Sequence, residues 1–257
     1  MGVLNVTPDS FSDGGRFITP NRALQHVESM IDNGADIIDI GAESTRPGAK
    51  LVTVDEERKR IEPVIKAIKK NFKIPVSIDT YKPKIMELGI DLGVDMINDV
   101  YALRQPGAIE IVANSDVILC LMHMQGTPKD MQNKPSYKNI INEVRQFLQE
   151  RIYVCGAAGI DQSRLVMDPG FGFGKTHENN LKLFQSLGKL RISTIPLLVG
   201  VSRKSMVRNI IGDEENDIIQ ASAIMAALSV LRGAKIVRVH DVKETKIALK
   251  ILQLRDN

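Results

Sequence analysis

A chain of 257 residues, 43% hydrophobic and 25% charged, has the balance of an ordinary soluble globular protein and can bury a large core without staples. A net charge of +3 is too small to argue for nucleic acid or a membrane surface as partner, but it suits a small anion gripped by a local basic cluster. Two cysteines, Cys120 and Cys155, make no disulfide framework and fit a reducing, cytoplasmic setting; no apolar run reaches the roughly 18 residues that span a bilayer, and no signal peptide is present.

In chain order, short runs rich in Val, Ile and Leu recur at residues 2–5, 36–40, 75–79, 95–98, 117–122, 164–168, 196–200 and 235–240. They alternate little between polar and apolar, as expected of parallel strands covered on both faces. The segments between them have helical spacing: Ala23, Val27, Met30 and Ile31 share a face, as do Ile141, Val144, Leu148 and Ile152, and Val242, Thr245, Leu249 and Leu252. Strands alternating with helices imply right-handed βαβ units, and eight of them predict an α/β fold, a single-domain (β/α)8 TIM barrel over residues 1–257. A doubly wound open sheet is the alternative. Residues 7–17 and 125–136 are long, glycine- or proline-bearing loops, and long loops in compact domains tend to carry function. The chain opens inside its first strand, which predicts a lead-in upstream of Gly2.

Barrel enzymes build their sites at the C-terminal ends of the strands. The polar residues at those ends are Asn5, Asp39, Asp79, Asn98, Asp168, Ser202 to Lys204, and Arg238 with His240. Singly, each has a plain explanation: Asp79 could start a helix, Asn98-Asp99 could be a turn, and Asp168-Pro169-Gly170 a tight connection. Their convergence on one face is harder to dismiss. Arg238 and His240 stand two apart on a strand and so face the same way, where an Arg is expected to meet an anion. The loops after strands 7 and 8 form the usual phosphate site of the fold, and Ser202-Arg203-Lys204-Ser205 opens a helix whose N–H groups add donors. After Asp168, three glycines and two phenylalanines in residues 170–174 allow a planar ring to approach closely; the spacing is not that of a nucleotide P-loop.

Residues 5–15, Asn-Val-Thr-Pro-Asp-Ser-Phe-Ser-Asp-Gly-Gly, and 43–48, Glu-Ser-Thr-Arg-Pro-Gly, resemble the two signatures of the dihydropteroate synthases. Asp79-Thr80, Ile97-Asn98-Asp99, Leu121-Met122-His123-Met124, residues 168–173, Ser202-Arg203-Lys204-Ser205 and Arg238-Val239-His240 match further motifs of that family in the same order, so the resemblance runs from Asn5 to Lys243. Ala42 departs from the glycine found in many members, and the short N-terminal hairpin of the family would be expected in the lead-in upstream of Gly2.

The resemblance implies an enzyme that condenses 6-hydroxymethyl-7,8-dihydropterin diphosphate with 4-aminobenzoate, releasing pyrophosphate, in a family that is the target of sulfonamides. It implies that Asp79, Asn98, Met122, Asp168 and Lys204 bind the pterin. Asn5, Arg238 and His240 would hold the diphosphate, with Asn5 a ligand of Mg²⁺. Thr45, Arg46, Pro47, Phe173, Lys204 and Ser205 would shape the aminobenzoate pocket. The catalytic set would be Asp13, Asp79, Lys204, Arg238 and His240. A homodimer is implied, and some members are fused to the preceding kinase of folate synthesis. The nearest rival is a methyltetrahydrofolate-dependent methyltransferase, a pterin-binding barrel with no use for a diphosphate site. A Schiff-base aldolase using Lys204 and a pterin-binding protein without activity are the others.

Overall fold

The computed structural model describes residues 1–7, 20–44 and 51–254. Eight strands run in chain order around one sheet: β1 (Gly2–Asn5), β2 (Ile38–Gly41), β3 (Val76–Asp79), β4 (Met96–Asp99), β5 (Ile118–Met122), β6 (Leu165–Asp168), β7 (Leu197–Val199) and β8 (Ala234–Val237), each parallel to the next. The sheet closes on itself. Val239 donates its N–H to Met1 O and accepts from Val3 N, both at 3.0 Å, forming a parallel bridge opposite Gly2. The predicted barrel and its eight runs are therefore present, with ends moved by at most two residues except at the last strand, which ends three residues early.

The last strand differs most. It was expected to include Arg238 and His240, but β8 stops at Val237 because β7 ends at Val199 and leaves nothing further to pair with; the chain then leans over to β1. The positions still alternate, so the two side chains remain at the mouth of the barrel.

Helices α1 (Pro20–Asp32), α2 (Val54–Asn71), α3 (Pro83–Asp91), α4 (Ala108–Ala113), α5 (Ile140–Ala157) and α6 (His177–Gln185) each follow one strand, whereas α7 (Ser205–Ile211) and α8 (Glu215–Leu231) both lie between β7 and β8, and α9 (Val242–Gln253) follows β8. Local chemistry sets their limits. Thr53 caps α2 by accepting from Glu56 N at 3.2 Å, with Asp55, Glu56 and Glu57 in the first turn and Lys69 and Lys70 in the last, as the helix dipole favours. Asn139 and Thr176 cap α5 and α6 in the same manner. The expected apolar faces are buried: Val27 and Met30 in α1, Val144, Leu148 and Ile152 in α5. In α5 the fully buried position beside them is Ile140 rather than Ile141, one residue round the helix. Both cysteines are free and buried.

Candidate active site

Register decides what faces the barrel interior. Parallel partners point to the same side, so the pairs Gly41–Asp79, Asp79–Asn98, Asn98–Cys120 and Met122–Asp168 define one inward set. Below them Met1, Met96, Cys120, Val166 and Leu198 fill the barrel as an apolar plug. Above the plug, Asn5, Asp79, Asn98, Met122 and Asp168 rim the C-terminal mouth, joined by Lys204 from the loop after β7 and by Arg238 and His240 from the end of β8. No helix of the described residues is long and apolar enough to cross a membrane.

The mouth holds a three-membered ionic cluster. Arg238 donates from Nε to Asp39 Oδ2 at 2.6 Å and from Nη2 to Asp79 Oδ2 at 2.8 Å. Asn98 Nδ2 also reaches Asp39 Oδ2, at 3.3 Å. The arginine expected to meet an anion thus already has two carboxylates, which hold it charged against the burial that disfavours its ionised form. Burial raises the pKa of Asp79 to about 7, while Arg238 opposes the rise. Asp39 Oδ1 and Asn98 Oδ1 are buried with no hydrogen-bond partner among the described residues, which leaves two acceptors for the N–H groups of a ligand.

The other side of the mouth is built around Asp168 and Lys204. Asp168 is buried, its Oδ1 accepting from Gly170 N at 2.7 Å, and burial raises its pKa against the pull of Lys204. Lys204 donates to Phe171 O at 2.5 Å and lies 4.8 Å over the centre of the Phe173 ring. Burial lowers its pKa to about 8, with Asp168 opposing. Val100, Met122, Met124 and Met131 form a separate apolar cluster here, with Tyr81, Tyr101 and Phe173 packed against it. Such a wall of thioethers and aromatic faces suits a flat heterocycle.

Two supports of this pocket were not foreseen. Lys175 is buried, and its ammonium donates to Gly170 O at 2.8 Å and Phe173 O at 3.0 Å and meets His123 Nδ1 at 2.9 Å. Burial lowers the pKa of Lys175 and holds that of His123 down at about 2, the ammonium adding to the second effect. A histidine neutral in the folded protein contributes stability that is complete above its unfolded pKa near 6.5 and fades as pH falls through the window toward about 2. The stability gap between the protein and a His123→Asn variant should therefore shrink by about 1.4 kcal/mol per pH unit between roughly pH 6 and 4. Denaturant unfolding of both proteins at several pH values measures this; a gap independent of pH would show that His123 is not held neutral.

The second support is electrostatic and lies beside His240. Arg203 was grouped with the anion-binding residues of its loop, but its backbone is left-handed (φ 58°) and its side chain turns away. It grips Asp241 with two bonds, of 2.9 and 2.5 Å, and Glu215 with a third of 2.9 Å. The basic residue of the motif that faces the mouth is Lys204. Ser205 is exposed at the first turn of α7. Asp13, Thr45, Arg46 and Pro47 lie outside the described residues.

Asp39 stood among the polar strand-end residues without a role and Lys175 had none, yet the role of each could have been asked of the sequence. An acid inside the apolar run Ile37-Ile38-Asp39-Ile40 invites the same question as Arg238 in its own run: what buried charge does it meet? Lys175 ends a glycine-rich turn in which carbonyls need donors. The side of the barrel on which each partner waits was not legible.

A family model described as pterin binding enzyme matches residues 1–240. The chain is 45% identical over 253 residues to the dihydropteroate synthase of Escherichia coli K12, covering 98% of this chain and 90% of that protein. Among solved structures, Yersinia pestis dihydropteroate synthase in complex with a sulfonamide drug superposes with a TM-score of 0.93 at 44% identity, covering 99% of this chain and 92% of the other. The Xanthomonas albilineans dihydropteroate synthase with 4-aminobenzoic acid gives the same values: TM-score 0.93, 44% identity, 99% and 92% coverage.

Proposed function

The chain belongs to the pterin-binding enzymes and, among them, to the dihydropteroate synthases, and from that premise we propose how its residues divide the reaction. The enzyme condenses 6-hydroxymethyl-7,8-dihydropterin diphosphate with 4-aminobenzoate to give 7,8-dihydropteroate and pyrophosphate. The observation that carries the assignment of roles is the pairing of two unlike walls at one barrel mouth: an Arg238–Asp39–Asp79 cluster facing a ring pocket made by Asp168, Lys204 and Met122.

In this reading Asp168 takes the N–H edge of the pterin, with Asn98 as a second anchor, and Met122 packs against the ring. Lys204 donates to the ring carbonyl and ring nitrogen. Arg238 and His240 hold the diphosphate, whose oxygens compete with Asp39 and Asp79 for the guanidinium. The C–O bond at the methylene breaks, and its electron pair leaves with the diphosphate. The cation left behind is delocalised into the ring and stabilised by Asp79, with Asp13. The aniline nitrogen attacks the methylene and then loses its proton, which an aniline gives up readily. Thr45, Arg46, Pro47, Phe173, Lys204 and Ser205 shape the pocket for the aminobenzoate.

The donor set also bears on Mg²⁺. No group of three or more His, Cys, Asp or Glu among the described residues could cage an ion. Asn5 stands at the mouth beside Gly41 and Asp79, its Oδ1 3.5 Å from where a Cβ on Gly41 would lie. One carboxamide oxygen fits an ion that arrives on the diphosphate and keeps phosphate oxygens and waters as its other ligands. When bound, Mg²⁺ would neutralise charge growing on the leaving group.

We place the enzyme in the cytoplasm, as one catalytic unit over residues 1–257, and as a homodimer. The dimer surface is the outer face of α8 and α9, where Ile224, Leu231, Ile247 and Ile251 are each 42–65% exposed on helices that pack on one another. A helix apolar on all sides, as α8 is, needs cover on all sides. Ile224→Glu should give a monomer in sedimentation velocity at micromolar concentration, and an unchanged dimer would move the interface elsewhere.

The assay for the function is pyrophosphate release from the pterin diphosphate, with and without 4-aminobenzoate and Mg²⁺. Release should need both. Release unaffected by omitting the amine would point to a hydrolase, and none at all would refute the assignment.

A further inference from the structure

Ser202 sits in the loop after β7, is buried, and makes two contacts with one residue. Its Oγ accepts from His240 N at 3.2 Å and lies 3.1 Å from His240 Nδ1. A hydroxyl has one proton to give. The oxygen already accepts the backbone N–H, and no other acceptor for its proton is within reach among the described residues. Were Nδ1 protonated, Oγ would face two donors and its own proton would have no partner. The arrangement is satisfied when Ser202 donates to an unprotonated Nδ1, which puts the ring proton on Nε2.

The neighbours reinforce this. Arg203 and Asp241, the residues immediately after Ser202 and His240, are joined by a bidentate ion pair, and Arg203 N donates to Ser222 Oγ on α8 at 3.0 Å. The loops after β7 and β8 are thereby locked against each other at the level of the serine and the imidazole. The ring is neutral, because burial and the nearby Arg238 lower its pKa to about 4. A neutral imidazole has a single N–H, so which nitrogen carries it decides whether the residue can donate to an anion.

We propose that Ser202 is the positioning residue for His240: its hydroxyl fixes the Nε2–H tautomer and so leaves that N–H, on the far side of the ring from the serine, as a donor to the leaving diphosphate. The proposal rests on the assignment of His240 to the diphosphate. It implies that Ser202 itself touches no substrate, and that its contribution vanishes for ligands without the diphosphate.

The test joins a spectrum to a binding measurement. In protein labelled with ¹⁵N at histidine, with His240 assigned by its loss in His240→Gln, Nδ1 should resonate as a bare ring nitrogen and Nε2 as a protonated one. Ser202→Ala should give a mixture of tautomers and weaken inorganic pyrophosphate about tenfold, leaving the affinity of the free hydroxymethylpterin unchanged. Ser202→Thr, which keeps the hydroxyl, should restore both readouts. A single Nε2–H tautomer persisting in Ser202→Ala would overturn the proposal and leave the diphosphate site as it is. A shifted tautomer with normal pyrophosphate affinity in both Ser202→Ala and His240→Gln would remove His240 from the diphosphate site, and the proposed aim of its N–H with it.

Discussion

Arg238→Ala is expected to cost the enzyme its diphosphate site and a large part of its stability together. The guanidinium is the shared partner of Asp39, wholly buried, and of Asp79, so its removal leaves two carboxylates close together and uncompensated. Breaking a buried pair by deleting one partner costs about 3–5 kcal/mol. The variant can recover some of this by keeping Asp79 protonated, since its pKa is already about 7 with the arginine present and rises further without it. A carboxyl whose folded pKa is raised contributes stability that is full below its unfolded pKa, near 4, and lost as pH rises through the folded value. The deficit of the variant should therefore be larger at pH 8 than at pH 6 in thermal melts. Calorimetry should show pyrophosphate and pterin diphosphate binding weakened far more than the free pterin. Equal losses for all three ligands would sink the assignment of Arg238 to the diphosphate, and a deficit independent of pH would sink the account of Asp79.

Lys204→Ala and Asp168→Asn should fail in different ways. Lys204 is tied to Phe171 O and lies over Phe173, which in the proposed reading sets it between the pterin and the aminobenzoate. Losing it should weaken the pterin and lower the rate at saturation by on the order of a hundredfold or more, as expected when a donor that orients the transition state is removed. Asp168→Asn should act mostly on pterin affinity, by roughly 2–4 kcal/mol, because a buried polar pair is left mismatched. Gly170 N already donates to one oxygen of Asp168. An asparagine that keeps its oxygen there must turn its amide N–H toward the donors of the ring. Neither change should unfold the protein, since both side chains belong to the mouth and not to the apolar plug. Steady-state kinetics with a thermal melt on each variant decides. Full turnover by Lys204→Ala at saturating substrates would make it a binding residue only; normal pterin binding by Asp168→Asn would move the ring anchor elsewhere.

The barrel was legible because its strands are covered on both faces and so announce themselves as unbroken apolar runs, even where, as at 235–240, the run outlasts the strand. The rim of the mouth was legible for a related reason: Asp79, Asn98, Asp168 and Arg238 are polar residues at the ends of apolar segments. Contacts between distant segments left no such trace. Nothing in the sequence says that Arg238 closes on Asp39, 199 residues away, or that Arg203 turns to Asp241 while its neighbour Lys204 turns inward. Partner choice of this kind depends on the stagger of strands around the barrel, which periodicity does not encode.

The loops after β5 and β6 meet backbone to backbone. A Cβ on Gly170 would lie 1.9 Å from His123 O, and one on Gly174 2.4 Å from Gln125 O, both at positive φ. Carbonyl oxygens of the main chain cannot swing aside as a side chain can. In the proposed reading, selection for a mouth that refuses an unwanted look-alike of the substrate therefore cannot work through these two positions without forcing the two loops apart beside Asp168 and Lys204. Ser205 is different: it is exposed, at the open start of a helix, and a larger side chain there has solvent to move into. If Ser205 lines the aminobenzoate pocket as proposed, variation that reshapes what the pocket accepts is thus channelled toward such rim positions and away from the two glycines.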